Sequence, residues 1–289
     1  MVRLGVVILP DQGWEDAREK WQRAEALGFD HVWIYDHVVW DGLPDSPWFG
    51  SVPTLAAAST VTERIRLGTL VASPNFRHPV PFARELMTLD DISGGRLTLG
   101  LGAGSRGSDA ALLTHGGTAP AARAERFGEF VDLLDELLRG EDVAFDGDHY
   151  SVNRPGLRPG SVQKPRIPLA VAATNRRSME VVAKHAQLWV TNGDRGHRGP
   201  PLLPADGAAA VSSQMMLLDA ACARQGRDPA TIDRLVLTGS RLDSGLRSAT
   251  QFAELKEIYE SVGVTDLVVH WPRAEEPYSG DDAILEQIT

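Results

Sequence analysis

Asp36 and His37 stand side by side at the end of the apolar run His31–Tyr35 (HVWIY). A carboxylate beside an imidazole can hydrogen-bond a cofactor or move a proton near neutral pH. The plainer alternative is an Asp that caps the following loop beside an exposed His, and the residue types alone leave both open. Gly102-Ala103-Gly104-Ser105-Arg106-Gly107 formally satisfies G-x-G-x-x-G. The clear helical pattern waits until Arg123, however, and no strand-borne acid follows at the distance a dinucleotide fold requires. Small residues here suit close approach of the backbone to a flat ring instead. A third candidate is Ala172-Ala173-Thr174-Asn175-Arg176-Arg177-Ser178, which joins an apolar run to a helix. N–H groups at that helix start, with two arginines, make an anion site. His270-Trp271 closes the last apolar run, and Trp40 and Trp48 follow the Asp-His pair. These rings suit either an aromatic-lined substrate pocket or plain packing. His31, His149 and His185 read as structural or exposed. No metal-ligand spacing, Gly-x-Ser-x-Gly elbow or P-loop is present, so the reading assigns no metal site.

The elements that position these residues alternate. Apolar runs at Leu4–Leu9, His31–Tyr35, Ile65–Ala72, Arg96–Leu101, Leu169–Ala173, Leu188–Thr191, Arg234–Gly239 and Asp266–Trp271 read as strands buried on both faces. Helical periodicity separates them: Glu15–Leu27, Thr54–Thr62, Pro81–Ser93, Arg123–Leu138, Ser178–His185, Asp206–Gln225, Thr250–Val262 and Asp281–Ile288. Val143–Val152 reads as a small hairpin around Asp146-Gly147, outside the main rhythm. Residues 102–122 read as a long loop, and Gly193–Pro204 as a second, carrying Arg195, His197 and Arg198. Eight strands alternating with eight helices predict a (β/α)8 TIM barrel, a single domain over residues 1–289 with a loop and hairpin insertion around residues 102–165. Such barrels build their sites where strands end. That rule selects Asp36, His37, Ala72, Ser73, Asn75, Gly102, Gly104, Thr174, Asn175, Asn192, His270 and Trp271.

Composition narrows the function classes. The 289 residues carry 29 basic and 39 acidic side chains, a net charge of −10, which argues against a nucleic-acid surface. The single cysteine, Cys222, makes no internal disulfide and fits a reducing cytosol. No apolar run reaches the roughly 20 residues of a membrane span, and no signal peptide opens the chain. The expectation is a soluble cytoplasmic protein acting on a small molecule.

The run from Arg77 through His78-Pro79, Thr88-Leu89-Asp90, Ser93-Gly94-Gly95-Arg96 and Leu99-Gly100-Leu101-Gly102-Ala103-Gly104 closely resembles the bacterial luciferase-like flavin/deazaflavin oxidoreductases. The resemblance implies the same barrel, with coenzyme F420 as cofactor and FMN as the alternative. In deazaflavin members an Asp-His pair at the end of the second strand contacts the polar edge of the ring. That implies Asp36 on the ring and His37 as proton donor or acceptor. It also implies a bulge at Leu70-Val71-Ala72-Ser73, with a cis Leu70–Val71 peptide, against the back of the ring. Gly102, Ala103 and Gly104 with Ala173, Thr174, Asn175, Arg176 and Arg177 would hold the tail and phosphate, and Trp40, His270 and Trp271 the substrate. Arg77 is expected to be a structural tie. The implied activity is hydride transfer between the deazaflavin C5 and a small organic substrate. An FMN-dependent monooxygenase and a non-catalytic flavin-binding barrel are the alternatives. Family members are often dimers, so a homodimer is the assembly that analogy suggests. One departure stands out. Several sugar-phosphate dehydrogenases of the family place an acid just after the fourth-strand Gly-x-Gly, where this chain has Ser105-Arg106.

Overall fold

The computed structural model describes residues 2–105, 107–113, 119–140, 142–154, 157–194 and 196–289. Arg106, Arg195 and residues 114–118, parts of the two loops singled out above, lie outside the described residues. Strands β1 (Arg3–Val7), β2 (His31–Ile34), β3 (Arg66–Thr69) and β4 (Leu97–Leu101) come first. An antiparallel hairpin follows, β5 (Val143–Asp146) with β6 (Ser151–Arg154), as its turn residues predict. β7 (Leu169–Ala172), β8 (Leu188–Thr191), β9 (Asp233–Leu237) and β10 (Asp266–His270) complete the set. Eight parallel strands close into a barrel in the order β1-β10-β9-β8-β7-β4-β3-β2, the (β/α)8 architecture that the alternation predicts.

Helices α1 (Trp14–Leu27), α2 (Ser51–Ser59) and α3 (Pro79–Ile92) follow the first three strands. A short α4 (Ser108–Leu113) precedes α5 (Pro120–Arg139). Then come α6 (Arg176–His185), α7 (Pro204–Gln225), α8 (Ala249–Ser261) and a closing 3₁₀ turn, Asp282–Ile284, that runs into α9 (Leu285–Ile288). Helices α3, α5 and α7 start two or three residues earlier than their apolar stripes suggest, because Pro79, Pro120 and Pro204 occupy the first turn. Proline loses nothing there, since that N–H has no intrahelical partner. Helix α4 corrects the reading of residues 102–122 as loop throughout. Its six residues are too few to display a helical period.

Two compact units make up the chain: Met1–Leu9, Lys20–Trp33 and Val171–Thr289 form one, Pro10–Glu19 and Ile34–Ala170 the other. The first is centred on fully buried Trp21, Trp33, Trp189 and Tyr259. Its β1–β10 pairing sets Arg3 opposite Asp266. Asp266 accepts from Arg3 Nε and Nη2 at 2.7 Å each, from Thr265 Oγ1 at 2.6 Å and from His31 Nε2 at 3.0 Å. Trp33 Nε1 donates to His31 Nδ1 at 2.6 Å, which fixes the proton of that imidazole on Nε2. Burial alone would raise the Asp266 carboxyl, but these donors outweigh it and hold the group well below the usual carboxylate range. Gly5 makes room for this network, since a Cβ there would meet His31 Nδ1 at 2.0 Å.

The second unit packs α3 against α5, where Phe82 and Phe130 stack with centroids 6.4 Å apart. Buried Asp90 on α3 accepts from Val162 N, Gln163 N and Gln163 Nε2 at 2.8, 3.1 and 2.8 Å. Those bonds satisfy the carboxylate and pin the segment that leads to β7. Among the described residues, no helix is long and apolar enough to cross a membrane.

Candidate functional site

Strand β2 delivers Asp36 and His37 to one place but into different surroundings. Asp36 is 2 % exposed. Its Oδ2 accepts from Arg77 Nε and its Oδ1 from Arg77 Nη2, both at 2.7 Å, and Ser51 Oγ donates to Oδ1 at 2.5 Å. The Arg77 guanidinium lies over the Phe82 ring, 4.4 Å from its centroid. Asp36 therefore has both oxygens engaged by its own chain, and Arg77 is the structural tie that the motif suggests.

His37 faces the other way. Its Nδ1 lies 2.6 Å from Asp109 Oδ2, and Asp109 Oδ1 accepts from Val38 N and Val39 N at 2.7 and 3.0 Å. Asp109 sits in the first turn of α4, where a carboxylate suits the positive end of the helix. The turn before it is held as well, because Ser108 N and Ser108 Oγ both donate to Asp41. Burial alone would raise the Asp109 carboxyl. The bonds from His37, Val39 and Val38 outweigh burial and leave it below its ordinary value. The His37 side chain is 29 % exposed, and its Nε2 has no hydrogen-bond partner among the described residues. Aromatic rings surround it. Tyr35 and Trp48 lie edge-on at 6.1 and 6.3 Å, and Trp40 packs on both at 5.3 and 5.6 Å. Trp48 Nε1 is buried there without a partner among the described residues.

At the end of β3 the Leu70–Val71 peptide is cis. Pairing with β4 resumes beyond it, through Ala72 N to Gly100 O at 2.8 Å and Gly102 N to Ala72 O at 2.9 Å. Buried Ser73 follows, and its Oγ accepts from Asn75 N at 3.4 Å. Gly104 takes φ 75°, and a Cβ there would press on the Asn75 side chain at 2.6–2.7 Å. Asn75 is itself fixed, donating to Ser105 O at 3.0 Å and accepting from Arg126 Nη2 at 2.8 Å. The space that glycine leaves at position 104 is thus used by Asn75, with Ala103 half-buried beside it. Gly104→Ala is expected to cost about 1–3 kcal/mol through its left-handed backbone and the displaced amide. Urea unfolding checks this, and an unchanged midpoint would contradict it.

The other unit carries the remaining candidates. Ala173 is buried, and its carbonyl accepts from Trp189 Nε1 at 2.8 Å. Half-buried Thr174 leads to Asn175, which caps α6 by accepting from Ser178 N at 3.1 Å, while Ser178 Oγ accepts in return from Asn175 N at 3.4 Å. Arg176 and Arg177 are exposed on the first turn. This is a rigid helix start with two cations, the arrangement an anion needs. His270 and Trp271 take packing positions instead of an open one. His270 is 2 % exposed and stacks on Tyr278 at 3.5 Å, and Trp271 is 4 % exposed beneath Arg23. Both rings are expected from the sequence to contact substrate, and in the structure both pack inside the first unit.

Burial pushes the His270 imidazole down to about 3, against a smaller opposing bond with the Thr238 backbone. Its folded value lies below that of a free imidazole, so the unfolded chain binds more protons between about pH 6.5 and about 3. Stability from this residue is complete above that window and is lost as pH falls through it. The urea midpoint should therefore drop from about pH 7 toward about pH 4, and less so in His270→Phe. Parallel curves for the two proteins would contradict the assignment.

The family description "Luciferase-like monooxygenase" matches residues 2–240. The chain belongs to that family. An F420-dependent glucose-6-phosphate dehydrogenase of Beutenbergia cavernae is 32 % identical over 210 residues, covering 68 % of this chain and 58 % of the relative. A protein of the same description from Microbacterium testaceum is 31 % identical over 176 residues, covering 58 % and 49 %. This luciferase-like chain thus spans about half the length of the curated relatives it matches. Its fold resembles that of an F420-dependent secondary alcohol dehydrogenase in complex with an F420-acetone adduct, with TM-score 0.80, 16 % identity, and coverage of 99 % of this chain and 96 % of that one.

Within the luciferase-like frame, the second unit brings together Asp36, His37, Trp40, the segment from Leu70 to Ser73 and the Gly102–Gly104 turn. The first unit holds Ala173 to Arg177 at one helix start. Asp109 is the residue that sequence reasoning missed. Ser105 and Arg106 follow Gly104 in the sequence, and Asp109 stands further on, inside α4. The signal for it was slight, a Ser-Asp pair opening a helix too short to announce itself.

Proposed function

We propose that this protein is an F420-dependent oxidoreductase that passes a hydride between the deazaflavin C5 and a small organic substrate. Membership of the family supports the reading, as do curated relatives described as F420-dependent at 31–32 % identity. The observation that carries it is His37: its Nδ1 is held by a buried carboxylate while Nε2 is open within an aromatic cluster. That is the form of a proton-transfer group beside a flat ring.

The residues fit the cofactor. The turn at Leu70, Val71, Ala72 and Ser73 and the turn at Gly102, Ala103 and Gly104 offer backbone at the ends of adjacent strands, with the Asn75 side chain packed against Gly104. The α6 start, with Thr174, Asn175, Arg176 and Arg177, suits a phosphate. When bound, F420 supplies a two-electron hydride acceptor or donor that the side chains lack. His37 exchanges the accompanying proton at Nε2. Asp36 holds the β2 end in register through Arg77 and Ser51. Trp40 walls the substrate side of the cluster.

The substrate class we favour is a small alcohol, carbonyl or activated alkene. The relatives' sugar-phosphate description is not carried over, since this chain lacks the acid next to Gly104. A monooxygenase using reduced FMN is the second reading, and the family's own description favours keeping it. The test is anaerobic turnover of F420 and its reduced form against panels of alcohols, carbonyls and enoates, followed by F420 absorbance. Substrate-dependent change in one direction is expected. Cofactor binding without turnover of any class would favour a carrier barrel, and oxygen consumption with reduced FMN would favour the monooxygenase.

A further inference from the structure

We infer that Asp109 is a positioning residue for His37, one that fixes the imidazole as its Nδ1–H tautomer and so makes Nε2 the atom that receives a proton. The inference rests on the reading of His37 as the proton-transfer group and adds the residue that sets its direction. Asp109 is buried, yet each of its oxygens is accounted for: Oδ2 faces His37 Nδ1 at 2.6 Å, and Oδ1 accepts from Val38 N and Val39 N. An ionised carboxylate only accepts, so the imidazole nitrogen that faces it must carry the hydrogen. The two backbone donors sit on the residues that follow His37. They hold the carboxylate on the near side of the ring, and it cannot swing toward Nε2 without abandoning them.

Neighbouring charges leave this assignment alone. Asp36 is occupied by Arg77 and Ser51, and Asp41 by Ser108. Asp109 is thus the one carboxylate bonded to the His37 ring among the described residues. When Nε2 takes a proton, the resulting imidazolium keeps its Nδ1–H on an ionised oxygen, which stabilises the charge as it forms. The same residue joins His37 to α4. The proton acceptor and the segment after β4 therefore share one anchor, 72 residues apart in sequence.

A residue that merely closed the Val38–Val39 turn would not care which imidazole nitrogen is protonated. Nitrogen-15 NMR of histidine-labelled protein near neutral pH reads that directly and needs no substrate. His37 is assigned by its loss in His37→Gln. Wild type should show the Nδ1–H tautomer for the neutral ring. In Asp109→Asn the amide can still accept from Val38 and Val39 through Oδ1, but its NH₂ now faces the ring. The proton should move to Nε2 while F420 affinity, read by fluorescence quenching, stays unchanged. An Nε2–H tautomer in wild type, or an unmoved Nδ1–H signal in Asp109→Asn, overturns the inference. If that variant does not fold, the wild-type spectrum alone decides. Failure of wild type to bind F420 would strike the functional reading instead and leave the tautomer result standing.

Discussion

Arg77→Met is expected to lower the unfolding free energy by about 3–5 kcal/mol, the cost of leaving a buried carboxylate without its cation. Asp36 is 2 % exposed and the Arg77 side chain 15 %, so solvent does little to screen the pair. The geometry is of the strong kind, two parallel bonds of 2.7 Å from one guanidinium, with Ser51 as a third donor. Phe82 packs under the cation and would be left facing a shorter side chain. The double change Asp36→Leu with Arg77→Met should recover much of the loss, because it removes both charges at once. Urea unfolding of the three proteins tests the pair. A loss below about 1 kcal/mol in Arg77→Met would mean that the ion pair is worth no more than a surface one.

The second large effect falls on chemistry. His37→Gln should reduce substrate-dependent F420 turnover by about 10²–10⁴-fold, the range over which a positioned acid or base acts. Glutamine preserves a group that can donate to Asp109, so the Val38–Val39 turn and α4 keep their anchor. F420 affinity and urea stability should therefore stay close to wild type, and the loss should lie in kcat more than in KM. Comparable turnover by His37→Gln would remove the proton-transfer role. Equal losses of affinity and stability would mean that the ring serves as a wall.

Much of the barrel was legible because its strands are buried on both faces and so appear as short apolar runs, such as Leu188–Thr191, whose bounds agree with the structure. Helices were legible from their stripes, Phe127, Phe130, Val131, Leu134 and Leu138 on α5 being the clearest. Their starts were not, since prolines at the first turn lie outside the stripe. The site was legible to the extent that it depends on strand ends. The strand-end rule selects Asp36 and His37, but whether each faces an open space or a partner depends on residues far along the chain. Arg77 could be guessed as a tie from the motif, whereas Ser51 carries no local mark and Asp109 only the slight one of a Ser-Asp pair opening a six-residue helix. For His270 and Trp271, as elsewhere, the strand-end rule selects a position and says nothing of the direction in which a side chain leaves it.

Titration of the purified chain with F420 and, separately, with FMN tests most directly whether this luciferase-like barrel takes F420. Fluorescence quenching reports both. Tight F420 binding is expected, with weaker FMN binding and a loss of F420 affinity when Arg176 and Arg177 are replaced together by alanine. Preference for FMN, or binding of neither cofactor, would contradict it.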